Sequence, residues 1–251
     1  MKLLKRQTIK PAGGYSAGVH LLLVWVLPLL LFALVRLEFV GFAFLAVLLS
    51  KWRMFALRPR HWGASLRINA VDILAGLSVV AFMSLAANNQ SVQVFWTVVY
   101  MLWLLYLKPR TGHLWVGVQA LVVQTGALVA LFLLENQASD VLLVISVATV
   151  TYLCARHFLA SYDESMSRAT AYSWAFFAAS LTWLTSRWLL FYGPIAQPAL
   201  ILTVVAYSLA AIYYLQHTGK LKKSVTSQFV GLAVTIILFI LIFSDWNGEI
   251  I

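Results

Sequence analysis

Two ionisable side chains, Asp72 and Arg187, interrupt apolar runs of about twenty residues, the length that spans a bilayer as a helix. A charge at the middle of a bilayer costs at least about 2.5 to 3.5 kcal/mol and is usually retained for a function. Asp72 has the chemistry to relay protons or bind a cation, and Arg187 has the chemistry to bind an anion or a lipid headgroup. The structural alternative for Asp72 is that it caps its helix and pairs with Arg67 or a neighbouring loop arginine. The structural alternative for Arg187 is that it pairs with Glu38 or extends to the outer interface.

Neutral polar side chains form a second group of candidates. Gln119 and Gln124 lie about 140° apart around a helix, and hydrogen bonds to neighbouring helices would explain them. A substrate cavity needs polar side chains on a second apolar run, and Ser180 supplies one. We therefore expect a cavity between the fifth and seventh runs. The expected substrate contacts are Gln119, Gln124, Ser180, Arg187 and Asp72.

Five basic side chains form a third group, in the gap between the second and third apolar runs. Ammonium and guanidinium groups bind phosphate through charge-assisted hydrogen bonds, and anionic lipids of the cytoplasmic leaflet attract such segments. The pattern therefore predicts contacts with anionic headgroups at the cytoplasmic face. The residues concerned are Lys51, Arg53, Arg58, Arg60 and Arg67.

Part of this basic segment resembles a motif of a phosphatase family. Lys51, followed after six residues by Arg58 and a proline, resembles the first box of the type 2 phosphatidic acid phosphatases, and residues 109–113 resemble their second box. The serine–arginine pair at 186–187 resembles the start of the third. The chemistry of that family requires a histidine in the third box as the nucleophile that attacks phosphate, but the next histidine is His217. The resemblance lacks the residue on which the reaction depends.

Metal and cofactor chemistry has little support in the sequence. The single cysteine, Cys154, excludes an internal disulfide and a zinc site built from cysteines. The five histidines stand singly, with almost no carboxylates beside them. Neither a metal nor a cofactor is predicted.

The composition assigns the chain to the membrane proteins. Of 251 residues, 62% are hydrophobic and 10% are charged, whereas soluble domains average about 45 to 50% and about 25%. The gaps between apolar runs are too short for a soluble core, so residues 1–251 are interpreted as one transmembrane domain. A formal net charge of +10 suggests nucleic acid in a soluble protein. Here the basic residues border apolar runs, so anionic lipids are the expected partners and nucleic acid is not.

The expected fold is an all-α bundle of about nine transmembrane helices, since helices satisfy their own backbone hydrogen bonds in lipid. The second run is short and spans only if Lys51 and Arg53 extend their charges back to the cytoplasmic interface, so eight spans are the alternative. The nine predicted spans are 19–35, 38–52, 69–88, 92–108, 113–134, 140–156, 171–192, 198–216 and 226–244.

The charges of the connecting segments predict the orientation. Of the 18 Lys and Arg residues, 16 fall in every second gap, and the gaps between hold little besides Glu38, Glu135 and Asp140. By the positive-inside rule the N-terminus is cytoplasmic, and nine spans place the C-terminus outside. The expected location is the plasma membrane.

Three functions remain open on the sequence alone. The first is a small permease or carrier, favoured by buried Arg187 and by a weak parallel repeat of residues 69–134 in residues 171–244. The second is a membrane-embedded enzyme acting on lipid or lipid-linked substrate, favoured by the basic segment. The third is a non-catalytic accessory subunit with a membrane-protein partner, or a homo-oligomer. The carrier is preferred.

Overall fold

The computed structural model describes residues 15–51, 62–134, 139–162, 165–186, 191–192 and 195–245, and the side chains of these residues except 15–23 and 191. In these ranges the chain forms nine α-helices and one short β-hairpin. Most of the helices are apolar along their length, which is expected where the backbone has no water to bind. The fold class is therefore all-α, as predicted.

The helices follow one another through short connections, and α4 continues into a π-helical turn. The hairpin pairs Phe191 with Ala196 and Tyr192 with Ile195 in antiparallel register, immediately before α8. The elements are α1 (Tyr15–Arg36), α2 (Val40–Leu49), α3 (Trp62–Leu85), α4 (Gln90–Leu102) with its π turn (Trp103–Leu107), α5 (His113–Leu133), α6 (Asp140–Ala160), α7 (Ser167–Thr185), β1 (Phe191–Tyr192), β2 (Ile195–Ala196), α8 (Gln197–His217) and α9 (Lys223–Phe243).

Six of the described helices are long and apolar enough to cross a membrane: α3, α4 with its π turn, α5, α6, α8 and α9. Their length and apolarity make this a membrane protein. The predicted count of nine spans is not confirmed. Helix α2 has ten residues, about 15 Å or half of a hydrocarbon core. Helix α7 carries serines and threonines along its length, and the part of α1 with described side chains is short.

Helix α3 forms the centre of the core and packs against α1, α2, α4, α5 and α6. Gly76 allows α2 and α4 to approach α3 closely. A Cβ atom at this position would lie 2.7 Å from Val47 Cγ1 and 2.9 Å from the Tyr100 hydroxyl, both too short for real contacts. This half of the bundle is therefore tightly packed around a glycine.

Helix α9 lies at the edge of the bundle and packs against α8. Where α8 begins and α9 ends, Gln197 Nε2 donates a hydrogen bond to Ser244 Oγ at 3.1 Å. Much of the remaining α9 surface consists of exposed leucine, valine, isoleucine and phenylalanine side chains. Such a surface suits contact with lipid tails.

Contacts between helix ends agree with the charge pattern. Lys51 after α2 and Lys108 after α4 meet at Asp72, and Arg156 near the end of α6 donates to Ser167 at the start of α7. These are ends for which the positive charges predict a common side. We call this end of the bundle the basic end. The parallel repeat of residues 69–134 and 171–244 stays a prediction.

Candidate functional site

A cluster of charged side chains is centred on Asp72 in α3. Oδ2 of Asp72 accepts from the ammonium groups of Lys51 and Lys108, the latter at 2.7 Å. Oδ1 accepts a hydrogen bond from Nε1 of Trp103 at 3.1 Å. The Lys51–Asp72–Lys108 cluster thus joins α2, α3 and α4 at the basic end of the bundle.

The π turn of α4 explains how Trp103 and Lys108 reach the same carboxylate. Residues five apart lie about 140° around the axis of a regular α-helix. In this turn the backbone N–H of Lys108 donates to the carbonyl of Trp103 at 2.9 Å, and such a bond brings residues five apart toward one face. The extra residue in the turn therefore directs both side chains at Asp72. Single π turns of this kind are frequent at functional sites.

The structure differs from two arrangements that the sequence left open for this cluster. Asp72 lies well inside α3 rather than at its start, because the helix already begins at Trp62. It therefore neither caps the helix nor pairs with Arg67, whose Nε donates to the carbonyl of Gly63 at 3.1 Å. Lys51 does not extend its ammonium to the interface, because Asp72 binds it within the bundle. Lys51 follows the ten-residue α2 and so connects this helix to the ion cluster.

The cluster is buried on one side and open on the other. The side chains of Lys51 and Asp72 are 13% and 12% exposed, whereas that of Lys108 is 38% exposed. Both ammonium groups bind the same oxygen, Oδ2 of Asp72. Two ammonium groups therefore share one carboxylate, and Lys108 connects the cluster to its surroundings.

Gln119 in α5 forms hydrogen bonds to the segment that connects α4 to α5. Its Nε2 donates to the carbonyls of Leu107 at 2.5 Å and Arg110 at 2.9 Å, and its Oε1 lies 3.4 Å from Nε2 of His157 in α6. These contacts satisfy carbonyls freed at the end of the π turn. In the structure the amide therefore binds backbone of its own chain.

A cavity of about 290 Å³ lies between α5, α6, α7 and α8. Its surface is mainly apolar, with a few polar side chains directed into it. Ligand pockets in proteins have this character and begin at about this size. The expected cavity between the fifth and seventh runs is thus also bordered by α6 and α8. The polar residues of its lining are Gln124, Thr170, Trp174, Tyr213 and Gln216.

Gln124 has a hydrogen-bonding group that is unmet in the described part of the chain. The residue is 4% exposed, and its Oε1 accepts from Nε1 of Trp174 in α7 at 3.2 Å. Its Nε2 has no partner among the described residues. A buried donor without a partner costs about 1 to 3 kcal/mol. A ligand atom that accepts this hydrogen bond would remove that cost.

A second cavity of about 250 Å³ lies between α5, α8 and α9, on the other side of Phe158. Both cavities share Gly117, Leu121, Phe158 and Ala210 in their linings. At the basic end, Tyr162 stacks on His113 at 4.9 Å between ring centroids and meets His217 edge to face at 4.7 Å. These aromatic contacts join α5 and α8 where the cavities separate the two helices.

The comparisons with known proteins give no relative. Neither a protein-family model nor a curated protein nor a solved structure matches this chain. The candidate sites are therefore interpreted from their geometry and chemistry alone.

The remaining predicted site residues are placed as follows. Ser180 in α7 is half-buried and is not part of the described lining of the cavity. Among the described residues, no group of three or more His, Cys, Asp or Glu side chains is arranged to hold a metal ion. The predicted substrate contact Arg187 and the predicted headgroup contacts Arg53, Arg58 and Arg60 lie outside the described residues.

Sequence reasoning did not select Trp103 and Lys108 as site residues. The sequence marks Lys108 only as a basic residue that borders a predicted span. Their convergence on Asp72 depends on the π turn, and no residue type marks such a turn reliably. The partners of Asp72 were therefore accessible from the structure and not from the spacing.

Proposed function

We propose that this protein is a membrane carrier for a small apolar or amphipathic molecule that contains a hydrogen-bond acceptor. The observation that supports this proposal is the Nε2 atom of Gln124, a buried donor without a described partner in the wall of an apolar cavity. Carbonyl, ester, ether and hydroxyl oxygens accept such a hydrogen bond. Because the described lining contains no charged side chain, the part of the substrate inside the cavity is neutral.

The helices around the cavity support movement of the substrate rather than permanent storage. Toward the outer end, α5 and α8 are in contact, since Thr203 Oγ1 donates to Thr125 Oγ1 at 3.1 Å. Toward the basic end they are separated by the two cavities and joined by aromatic side chains. Rocking of one group of helices against another is a common basis of transport.

We further propose that all nine helices lie within the plasma membrane, with the N-terminus in the cytoplasm and the C-terminus outside. The contacts among the basic helix ends support this orientation. Single cysteines introduced at exposed Lys220 and at Asn88 report it through labelling of intact cells with an impermeant thiol reagent. We expect labelling at position 88 and protection at position 220, and the opposite result would invert the topology.

The carrier proposal is tested with the variant Gln124→Leu, which keeps the size of the side chain and removes the amide. The protein is extracted gently from its own membrane, and the molecules that remain bound are measured by native mass spectrometry. We expect a bound molecule with an oxygen acceptor, and about fivefold lower affinity in the variant, since one hydrogen bond contributes about 1 kcal/mol. Gln90→Leu, at the exposed start of α4, is the matched control and should retain the wild-type affinity.

The identified molecule is then tested for transport in liposomes that contain the purified protein. A carrier moves it across the bilayer in the wild type and in Gln90→Leu, and more slowly in Gln124→Leu. Equal uptake by Gln124→Leu and Gln90→Leu would rule out this site, and binding without movement would leave a binding protein rather than a carrier.

A further inference from the structure

The Lys51–Asp72–Lys108 cluster contains more positive than negative charge, and the surrounding sequence does not correct the imbalance. Between residues 39 and 134 the chain has a single acidic residue, Asp72. Seven basic residues lie in the same interval: Lys51, Arg53, Arg58, Arg60, Arg67, Lys108 and Arg110. A partly buried excess of positive charge is costly unless an anion compensates it.

The hydrogen-bonding groups of the cluster are imbalanced in the same direction. Each lysine ammonium has three N–H donors. The carboxylate of Asp72 directs Oδ1 to Trp103 and shares Oδ2 between the two lysines. Donors on both ammonium groups therefore remain for a further acceptor with several oxygen atoms.

Lys108 gives such an acceptor access to the cluster. Its side chain is the most exposed of the three, at 38%, and it follows the π turn at the basic end of the bundle. The neighbouring Arg110 places its guanidinium 4.0 Å above the ring of Trp115, so it has a contact of its own. An anion that approaches from the basic end meets Lys108 first and then Lys51.

We propose that Lys51 and Lys108 bind a phosphate-type anion, with Asp72 and Trp103 fixing the position of the two ammonium groups. Phosphate oxygens match the several donors that the lysines offer, and lysine binds phosphate as a point charge. The phosphate belongs either to a lipid headgroup or to a small anion in solution. This site is separate from the cavity at Gln124, so it stands or falls independently of the carrier proposal.

The first experiment follows unfolding temperature in a nonionic detergent as inorganic phosphate is added, with chloride at equal ionic strength as the reference. A ligand that binds the folded state raises this temperature in proportion to its affinity. We expect phosphate to stabilise the wild type, and Lys108→Gln to weaken its binding about fivefold, the effect of one lysine near an anionic group. Lys220→Gln, which removes an exposed lysine from the same end of the bundle, is the matched control and should bind as the wild type does.

The variant Asp72→Asn separates an anion site from a purely structural ion pair. Asparagine retains the acceptor for Trp103 but removes the competing negative charge, so we expect phosphate to bind at least about fivefold more tightly. Unchanged or weaker binding by folded Asp72→Asn would overturn the proposal. If this variant does not fold, Lys108→Gln decides the question, since it leaves a balanced pair of Lys51 and Asp72.

The second experiment identifies the source of the anion. Native mass spectrometry measures retention of phosphatidylglycerol against phosphatidylcholine by the wild type, Lys108→Gln and Lys220→Gln. Selective retention that is lost only in Lys108→Gln shows a lipid headgroup, whereas a phosphate effect that depends on Lys108 without selective lipid retention shows a small anion. Identical behaviour of Lys108→Gln and Lys220→Gln in both experiments would refute the site.

Discussion

Around Asp72 both oxygens of a buried carboxylate are bound by Lys51, Lys108 and Trp103, whereas around Gln124 an amide nitrogen of α5 faces an apolar cavity without a described partner. The first region is packed so closely that Gly76 has no space for a methyl group. In the second region α5 and α8 stand apart over two cavities. A rigid ionic region beside a loosely packed apolar one provides a fixed frame and a part that adapts to a ligand.

The largest expected effect tests the ionic region. Asp72→Leu leaves two lysine ammonium groups without their carboxylate, so the free energy of unfolding should fall by about 3 to 5 kcal/mol, as for other buried pairs with one partner removed. Thermal unfolding in detergent measures the loss. The double variant Asp72→Leu with Lys51→Met removes one of the uncompensated charges and should recover part of it. If Asp72→Leu loses less free energy of unfolding than Gln124→Leu, the ionic region does not depend on its buried polar group more than the region around the cavity does.

A pair of glycine substitutions compares the packing of the two regions directly. Gly76→Ala brings a methyl group within 2.7 Å of the buried Val47, so we expect a loss of about 1 to 3 kcal/mol. At Gly117→Ala the new methyl meets the ring of Phe158 at 3.3 Å, and this ring borders both cavities and has room to move. Because alanine also favours the helix by about 0.8 to 1.0 kcal/mol, Gly117→Ala should be neutral or stabilising. Equal losses in the two unfolding curves would contradict the comparison.

The smallest expected effect on stability comes from filling the cavities. Ala210 borders both of them, and Ala210→Phe should raise the free energy of unfolding by about 0.5 to 2 kcal/mol while it excludes the bound molecule. Leu232→Phe on the exposed surface of α9 is the control and should change neither property. Ligand occupancy by native mass spectrometry and thermal unfolding are measured on the same samples. Unaltered occupancy in Ala210→Phe would place the ligand elsewhere.

The sequence predicted the class of fold and most helix positions because twenty-residue apolar runs allow few alternatives in lipid. It predicted Asp72 and Gln124 as notable for the same reason, since polar groups in such runs are rare. It failed on the partners of Asp72. Helix α3 extends beyond the apolar run toward the basic segment, so Asp72 lies deeper in the helix than the hydropathy of the run indicated.

The difference between Gln119 and Gln124 also could not be read from the sequence. Both are buried glutamines on one helix, five residues apart. Gln119 lies near the start of α5, where the carbonyls of Leu107 and Arg110 need donors. Gln124 lies more than a turn further along, where the adjacent space is a cavity. Their roles depend on neighbours that are distant in sequence, which residue type and spacing do not encode.

The single cysteine of the chain gives the unmodified protein a chemical reporter. Cys154 is fully buried, yet it forms part of the wall of the cavity at Gln124. A small apolar thiol reagent that partitions into the bilayer would reach this sulfur through the cavity, where a bound ligand would block it. The rate of alkylation therefore measures whether the cavity is filled, in native membranes and without any substitution.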